Sequence, residues 1–163
     1  MYYNTCLWQT SIFAGMLNSY SADLMKKEDR FNQMWMNVAA VFAQQSHAVR
    51  RKVGCVIVHR DRIVSQGWNG TSAGFDNACE DEDGHTLPHV IHAESNAITK
   101  LARSTESGEG AVIYTTTSPC IDCAKLIAQT GIQRVYYTEL YKSTDGIAYL
   151  QKCGIPSIQL ATL

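Results

Sequence analysis

Four residues in two short stretches could do chemistry together. In "HAESNAI" a carboxylate, Glu94, stands two residues after His92, and in "SPCIDCAK" Cys120 and Cys123 lie one helical turn apart behind Pro119. Neither arrangement serves packing well. Two thiols with this spacing at a helix start can aim both sulfurs at one point, and the positive end of the helix favours their thiolate forms. Alone, the pair has three readings: part of a zinc site, a thioredoxin-like redox pair, or coincidence. His92 narrows them. One imidazole and two thiolates make three ligands with a fourth tetrahedral position left for water, the arrangement of a catalytic zinc, whereas a structural zinc would close with a further Cys or His. Glu94 is then near the metal without having to bind it, able to take a proton from the water and deliver it elsewhere. A first-turn carboxylate is also favoured by the helix dipole alone, so Glu94 takes its meaning from the other three.

Two helix starts must carry these side chains. The pattern predicts helices from about His92 to Arg103 and from about Cys120 to Gln129, the second ended by Gly131, with the strand "AVIYTTT" between them. The strand "RVYYT", a short helix near Asp145 to Lys152 stopped by Gly154, and a last strand "PSIQL" follow. Upstream, "VGCVIVHRDRIVSQGWN" reads as a hairpin joined by "HRDR", although that loop lacks Asn-Gly, and Cys55 within it reads as a small buried apolar residue. Before the hairpin, Phe31, Met34, Trp35, Val38, Val41 and Phe42 recur at helical spacing, with Asp29 able to cap, and that stripe reads as core packing. Residues 70–88, rich in Gly, Asp, Asn and Ser, form a long loop of the kind that is usually functional or mobile. Strands alternating with helices after an opening hairpin imply an α/β domain, a mixed sheet covered on both faces. The organisation expected is an N-terminal extension over residues 1–28 and one domain over 29–163; Met16 and Met25 leave open a later natural start.

Composition bounds the partner. At 163 residues, 45% hydrophobic and 18% charged, the chain can bury a core without staples. Its 14 Lys and Arg against 15 Asp and Glu, net charge −1, supply no positive field to collect nucleic acid or anionic membrane. No apolar run reaches membrane-spanning length, and "CLWQTSIFAGML" lacks the basic segment that precedes a secretory signal. Six unevenly spaced cysteines suit a reducing compartment better than a disulfide scaffold, so a cytoplasmic location and a small-molecule partner are expected. Arg50, Arg51 and Lys52 form the one dense basic cluster, either a solvated helix end or a phosphate site.

His-x-Glu followed by Pro-Cys-x-x-Cys is the signature of the zinc-dependent nucleobase deaminases. From about Phe31 to Leu160 the chain further resembles the deoxycytidylate (dCMP) deaminases, the phage-type enzymes especially, in "RRKVGCVIV", "GWNG" followed by "AG", "HAESNAI", "TTTSPCIDCAKLIAQTGIQRVYY" and "YLQKCGIPSIQL". The resemblance implies a three-layer α/β/α sandwich around a five-stranded mixed sheet, assembled as a homohexamer. It implies one catalytic Zn2+ per chain on His92, Cys120 and Cys123, and hydrolysis of dCMP to dUMP and ammonia, supplying dTMP synthesis. A metal-activated water would attack the amine-bearing ring carbon while Glu94 protonates the adjacent ring nitrogen and then the leaving amine. Substrate contacts are implied at Asn69, Ala93 and Ser118. Activation by dCTP and inhibition by dTTP, with Mg2+ on the triphosphate, are implied through Arg50, Arg51, Trp68, Asn69 and Gly70. Asn69, beside Gly70, would serve equally as a turn residue of left-handed geometry. Some phage relatives carry a second zinc, for which Cys79, His85 and His89 are the candidates here. The chain departs from the family pattern at Trp68 (usually Tyr), Ser72 (usually Pro) and Ser95 (more often Leu). If phage-encoded, it would act in the host cytoplasm. Alternative readings are action on dCTP as well, deamination of a base in tRNA or single-stranded DNA, which would need a positive channel, and a non-catalytic zinc-binding module, which would not need Glu94.

Overall fold

The structure, a computed structural model, describes residues 26–161. The β-branched runs form five strands, β1 (Gly54–His59), β2 (Arg62–Trp68), β3 (Val112–Thr117), β4 (Arg134–Glu139) and β5 (Ser157–Gln159), in one sheet of order β2-β1-β3-β4-β5. β1 runs antiparallel to β2 and β3, while β4 and β5 continue parallel to β3. The helices are α1 (residues 26–43), α2 (Ala93–Ala102), α3 (Ile121–Gln129) and α4 (Asp145–Lys152).

Side chains alternate across a pleated strand, and this divides the core in two. Cys55, Ile57, Ile113 and Val135 pack with Ala97 and Leu101 of α2, Ile127 of α3 and Leu150 of α4. The residues between them, Val56, Val58, Tyr114 and Tyr136, pack with Met36 and Ala39 of α1. Helices thus cover both faces of a mixed five-stranded sheet, as the sequence leads one to expect. Residues 26–34 belong to a separate compact unit and are helical, with Lys27 Nζ 5.9 Å above the Phe31 ring. The extension expected over residues 1–28 lies almost wholly outside the described residues.

Half of the expected stripe of α1 packs on the core: Trp35, Val38 and Phe42 lie partly buried against it. Met36, Ala39 and Ala43 are the buried residues, whereas Phe31, Met34 and Val41 are exposed, Val41 to 66%. The reason is contact distance: a Cβ on Gly54 of β1 would collide with the Ala39 carbonyl and the Ala43 amide. A helix that presses its backbone onto a sheet needs alanine there, so small residues mark the buried face. The hairpin turn is also shorter than "HRDR". His59 pairs with Arg62, leaving Arg60 (φ 50°) and Asp61 (φ 57°) as a two-residue turn in the left-handed region, the geometry that Asn-Gly otherwise supplies.

α2 is docked on β2 by another close approach. A Cβ on Gly67 would overlap the Ala93 carbonyl and the Ala97 amide, Ser65 Oγ donates to the Ala97 carbonyl (2.6 Å), and Asn96 Nδ2 donates to the Trp68 carbonyl (2.9 Å). Gly67→Ala is expected to push α2 off the sheet, costing about 1–3 kcal/mol as overpacking does and lowering Tm by roughly 2–12 °C for a domain of this size. Thermal unfolding followed by circular dichroism measures this; an unchanged Tm would mean that the contact is slack.

The long loop after β2 is held at both ends. Gly70 bridges Ile91, and Glu80 bridges Thr86. Arg50 straps the loop down: its Nη1 donates to the Gly84 carbonyl (3.0 Å) and its Nη2 to Thr86 Oγ1 (2.8 Å). The Glu80 carboxylate in turn accepts the backbone N–H groups of Val49 (3.1 Å) and Arg50 (3.2 Å). Among the described residues no helix is long and apolar enough to cross a membrane.

Candidate active site

α2 and α3 both begin at a residue that does not cap. His92 is the N-cap of α2 (φ −69°, ψ 155°) and Cys120 that of α3 (φ −70°, ψ 170°), and neither side chain makes a capping hydrogen bond. Ser, Thr, Asp or Asn would normally stand there. Here the two side chains turn toward each other. His92 Nδ1 lies 3.4 Å from Cys120 Sγ and 3.5 Å from Cys123 Sγ. The turn that carries Cys120 lies at the carboxyl ends of β3 and β4, where ligand sites of α/β sheets form. Ser118 N–H donates to the Glu139 carbonyl (2.8 Å), Tyr141 N–H donates to Ser118 Oγ (2.8 Å), and a Cβ on Gly146 of α4 would collide with the Pro119 carbonyl. The cysteine turn is therefore gripped from both sides.

The donor set fits zinc. In a tetrahedral site with Zn–N near 2.0–2.1 Å and Zn–S near 2.3 Å, nitrogen and sulfur would stand roughly 3.6 Å apart, and the two separations found here are 3.4 Å and 3.5 Å. The three ligand atoms lie within 4.8 Å of one another and form the only such cluster of His, Cys, Asp or Glu among the described residues. Ser95 Oγ, on the first turn of α2, is 3.4 Å from Cys123 Sγ.

The electrostatics distinguish the two sulfurs. Cys120 is held down to about 4, because the Cys123 S–H donates to it and the His92 ring lies beside it. Cys123 moves up, since it keeps the proton that it shares with Cys120 and is buried. His92 is raised, first by its hydrogen bond with Cys120. Glu94 is raised by burial, being only 4% exposed, against the opposing pull of its backbone hydrogen bond and of His92. Burial so disfavours the charged carboxylate relative to an exposed one, the condition in which it can hold a proton as well as accept one.

His92, Glu94 and Cys120 line one open cleft. Ala93, Ser118 and Asn69, the expected substrate contacts, line the same cleft, and so do Arg50 and Arg51. Asn69 is not a left-handed turn residue; Arg60 and Asp61 are the only non-glycines of positive φ among the described residues. Its Oδ1 accepts the Val53 N–H (2.8 Å), its Nδ2 donates to the Arg51 carbonyl (2.9 Å), and its own carbonyl accepts from Ser46 Oγ (2.8 Å). Arg51 is held lightly, with Nη1 3.3 Å from the Leu140 carbonyl and Nε 3.9 Å from Glu139, its side chain 45% exposed.

Other expected residues are not brought together. Trp68 and Gly70 do not line the cleft. Trp68 instead stacks on Phe42 (6.3 Å) with Lys100 Nζ 4.4 Å above its ring, so the five residues expected to bind an effector do not share a pocket. Cys79, His85 and His89 form no ligand cluster: Cys79 lines the cleft with Sγ 3.6 Å from the Asn77 carbonyl, His85 lies 3.6 Å from Asp81, and His89 stacks on Phe75 (5.3 Å). Sequence reasoning missed Val53, Glu80, Thr86, Val90, Thr117 and Tyr141 as lining residues. The position of Thr117 and Tyr141 at or just past the ends of parallel strands was the available signal; the others carry none.

Residues 29–139 match the family model of the cytidine and deoxycytidylate deaminase zinc-binding region. The deoxycytidylate deaminase of Saccharomyces cerevisiae is 31% identical over 161 residues, covering 86% of this chain and 51% of the relative, so the chain spans about half that protein's length. The deoxycytidylate deaminase of Enterobacteria phage T4 is 35% identical over 147 residues, covering 65% of this chain and 76% of the phage protein. Among solved structures, the dCMP deaminase of the cyanophage S-TIM5 in complex with dCMP and dUMP is similar, with a TM-score of 0.79 and 45% identity over 80% of this chain and 97% of that one.

Proposed function

The chain belongs to the cytidine and deoxycytidylate deaminase family, and from that premise we propose that it hydrolyses the exocyclic amine of dCMP, giving dUMP and ammonia. The observation that carries this reading is a buried glutamate, Glu94, lining the same cleft as His92 and Cys120, two of the three residues grouped to hold a metal ion. His92, Cys120 and Cys123 would hold the ion, which when bound supplies the charge that lowers the pKa of a water. Glu94 does the proton work. Its carboxylate takes one proton from the attacking water and gives it to N3 of cytosine, then takes the second from the hydroxyl now bonded to C4 and gives it to the amino nitrogen, which leaves as ammonia as the C4–N bond breaks and the C4 carbonyl forms. Val53 and Val90 offer apolar wall to the base. Ser118 Oγ already accepts from the Tyr141 amide, so its own proton is free to be donated.

Arg51, at the mouth with one long hydrogen bond to a carbonyl, is the group that would recognise the 5′-phosphate. Arg51→Ala is expected to raise KM for dCMP by about tenfold or more, the scale of one charge-assisted hydrogen bond, and to leave turnover of deoxycytidine unchanged. Ammonia release from dCMP, deoxycytidine and a cytosine-containing oligonucleotide, on protein of known zinc content, tests the proposal. Rapid release from dCMP alone is expected; preference for the oligonucleotide would sink it. Activation by dCTP, inhibition by dTTP with Mg2+, and a homohexamer rest on the family resemblance, and titrating each effector against dCMP turnover is their test.

A further inference from the structure

We propose that Ser95 is a positioning residue of the metal centre, its hydroxyl donating a hydrogen bond to the Cys123 sulfur; this rests on the reading of His92, Cys120 and Cys123 as metal ligands. The geometry is direct. Ser95 Oγ lies 3.4 Å from Cys123 Sγ, across the gap between α2 and α3. Either atom could be the donor while Cys123 is a thiol, but a ligating cysteine is a thiolate and has no proton to give. Ser95 then has to be the donor. The sulfur carries full charge in a half-dry place, Cys123 being 1% exposed, where a donor is worth more than it would be in water.

Position adds a second consequence. Ser95 stands three residues after His92 on the same helix, while Cys123 belongs to α3. One side of the ligand set is thus tied to the other through protein atoms as well as through the ion. Outer partners of this kind fix ligand orientation and set how much charge the ligand gives the metal. A donor on the sulfur withdraws some charge from it, but it also stabilises the buried thiolate over the thiol and holds it in a narrower range of directions, and these last two effects set the affinity.

The test uses zinc and cobalt on the full chain with Ser95→Ala and Ser95→Thr. Competition with a chromophoric chelator is expected to show zinc held about tenfold or more weakly by Ser95→Ala. In the cobalt-loaded variant the sulfur-to-cobalt charge-transfer band is expected to move to longer wavelength, because an unbonded thiolate is easier to ionise. Ser95→Thr, which keeps the hydroxyl, is expected to restore both. A Ser95→Ala protein with unaltered band and zinc affinity would overturn the proposal, and so would a loss that Ser95→Thr does not restore, which assigns the effect to packing. Failure of the unsubstituted chain to bind either ion would instead overturn the metal reading, and this proposal with it.

Discussion

Glu94→Gln is expected to lower kcat/KM for dCMP by about 10³-fold or more while the protein stays folded and keeps its zinc. The substitution preserves volume and hydrogen-bonding reach, so α2 and the cleft wall are undisturbed. What it removes is the capacity to accept a proton. General acid–base groups contribute about 10²–10⁴-fold, and here one carboxylate must serve both the ring nitrogen and the leaving amine, which places the loss toward the upper end. Burial strengthens the expectation: at 4% exposure, bulk water has poor access to stand in for the missing carboxylate. Steady-state kinetics together with metal content and Tm decide it. A variant that retains a tenth of the activity would show that the proton travels by another route.

Cys120→Ala is expected to leave the protein with little zinc and to bring deamination down to background. Two of three protein ligands remain, and affinity falls with each one lost because the chelate closes around fewer donors. The position matters beyond ligand count. Cys120 sits at the start of α3 without capping it, and its sulfur is the one held as an anion. Removing it leaves His92 without its nearest partner. Metal analysis after exhaustive dialysis, paired with an ammonia assay, reads the outcome. Full activity in a variant shown to lack zinc would end the metal-based reading.

The chemistry was legible in the sequence because it is local. His92 with Glu94, and Cys120 with Cys123, each sit within one turn of one helix, and a helix fixes where such neighbours point. The end of α4 was legible for a local reason too: Gly154 stands just behind Lys152, its last residue. The cleft was not, because its walls come from distant segments. Val53, Thr86, Val90 and Tyr141 meet only once the sheet forms, and nothing at any one of them signals a ligand. The face of α1 was legible in part. Trp35, Val38 and Phe42 pack on the core as hydrophobic size suggests, but Phe31, Met34 and Val41 stay exposed and the closest contact is made by Ala39 and Ala43 against Gly54, a fit between two backbones that a one-dimensional pattern does not register.

The stitching around Asn69 bears on how mutants at this cleft should be interpreted. Its carboxamide bonds the backbone on both sides of Lys52, so the arginine at the rim takes its bearing from an amide that is itself bonded to main chain. An alanine scan would score position 69 as a ligand contact even if the nucleotide never touched it, since slackening the 51–53 segment misaims Arg51. A double-mutant cycle separates the cases: a defect relayed through the arginine disappears once Arg51 is already gone, whereas a defect of direct contact survives.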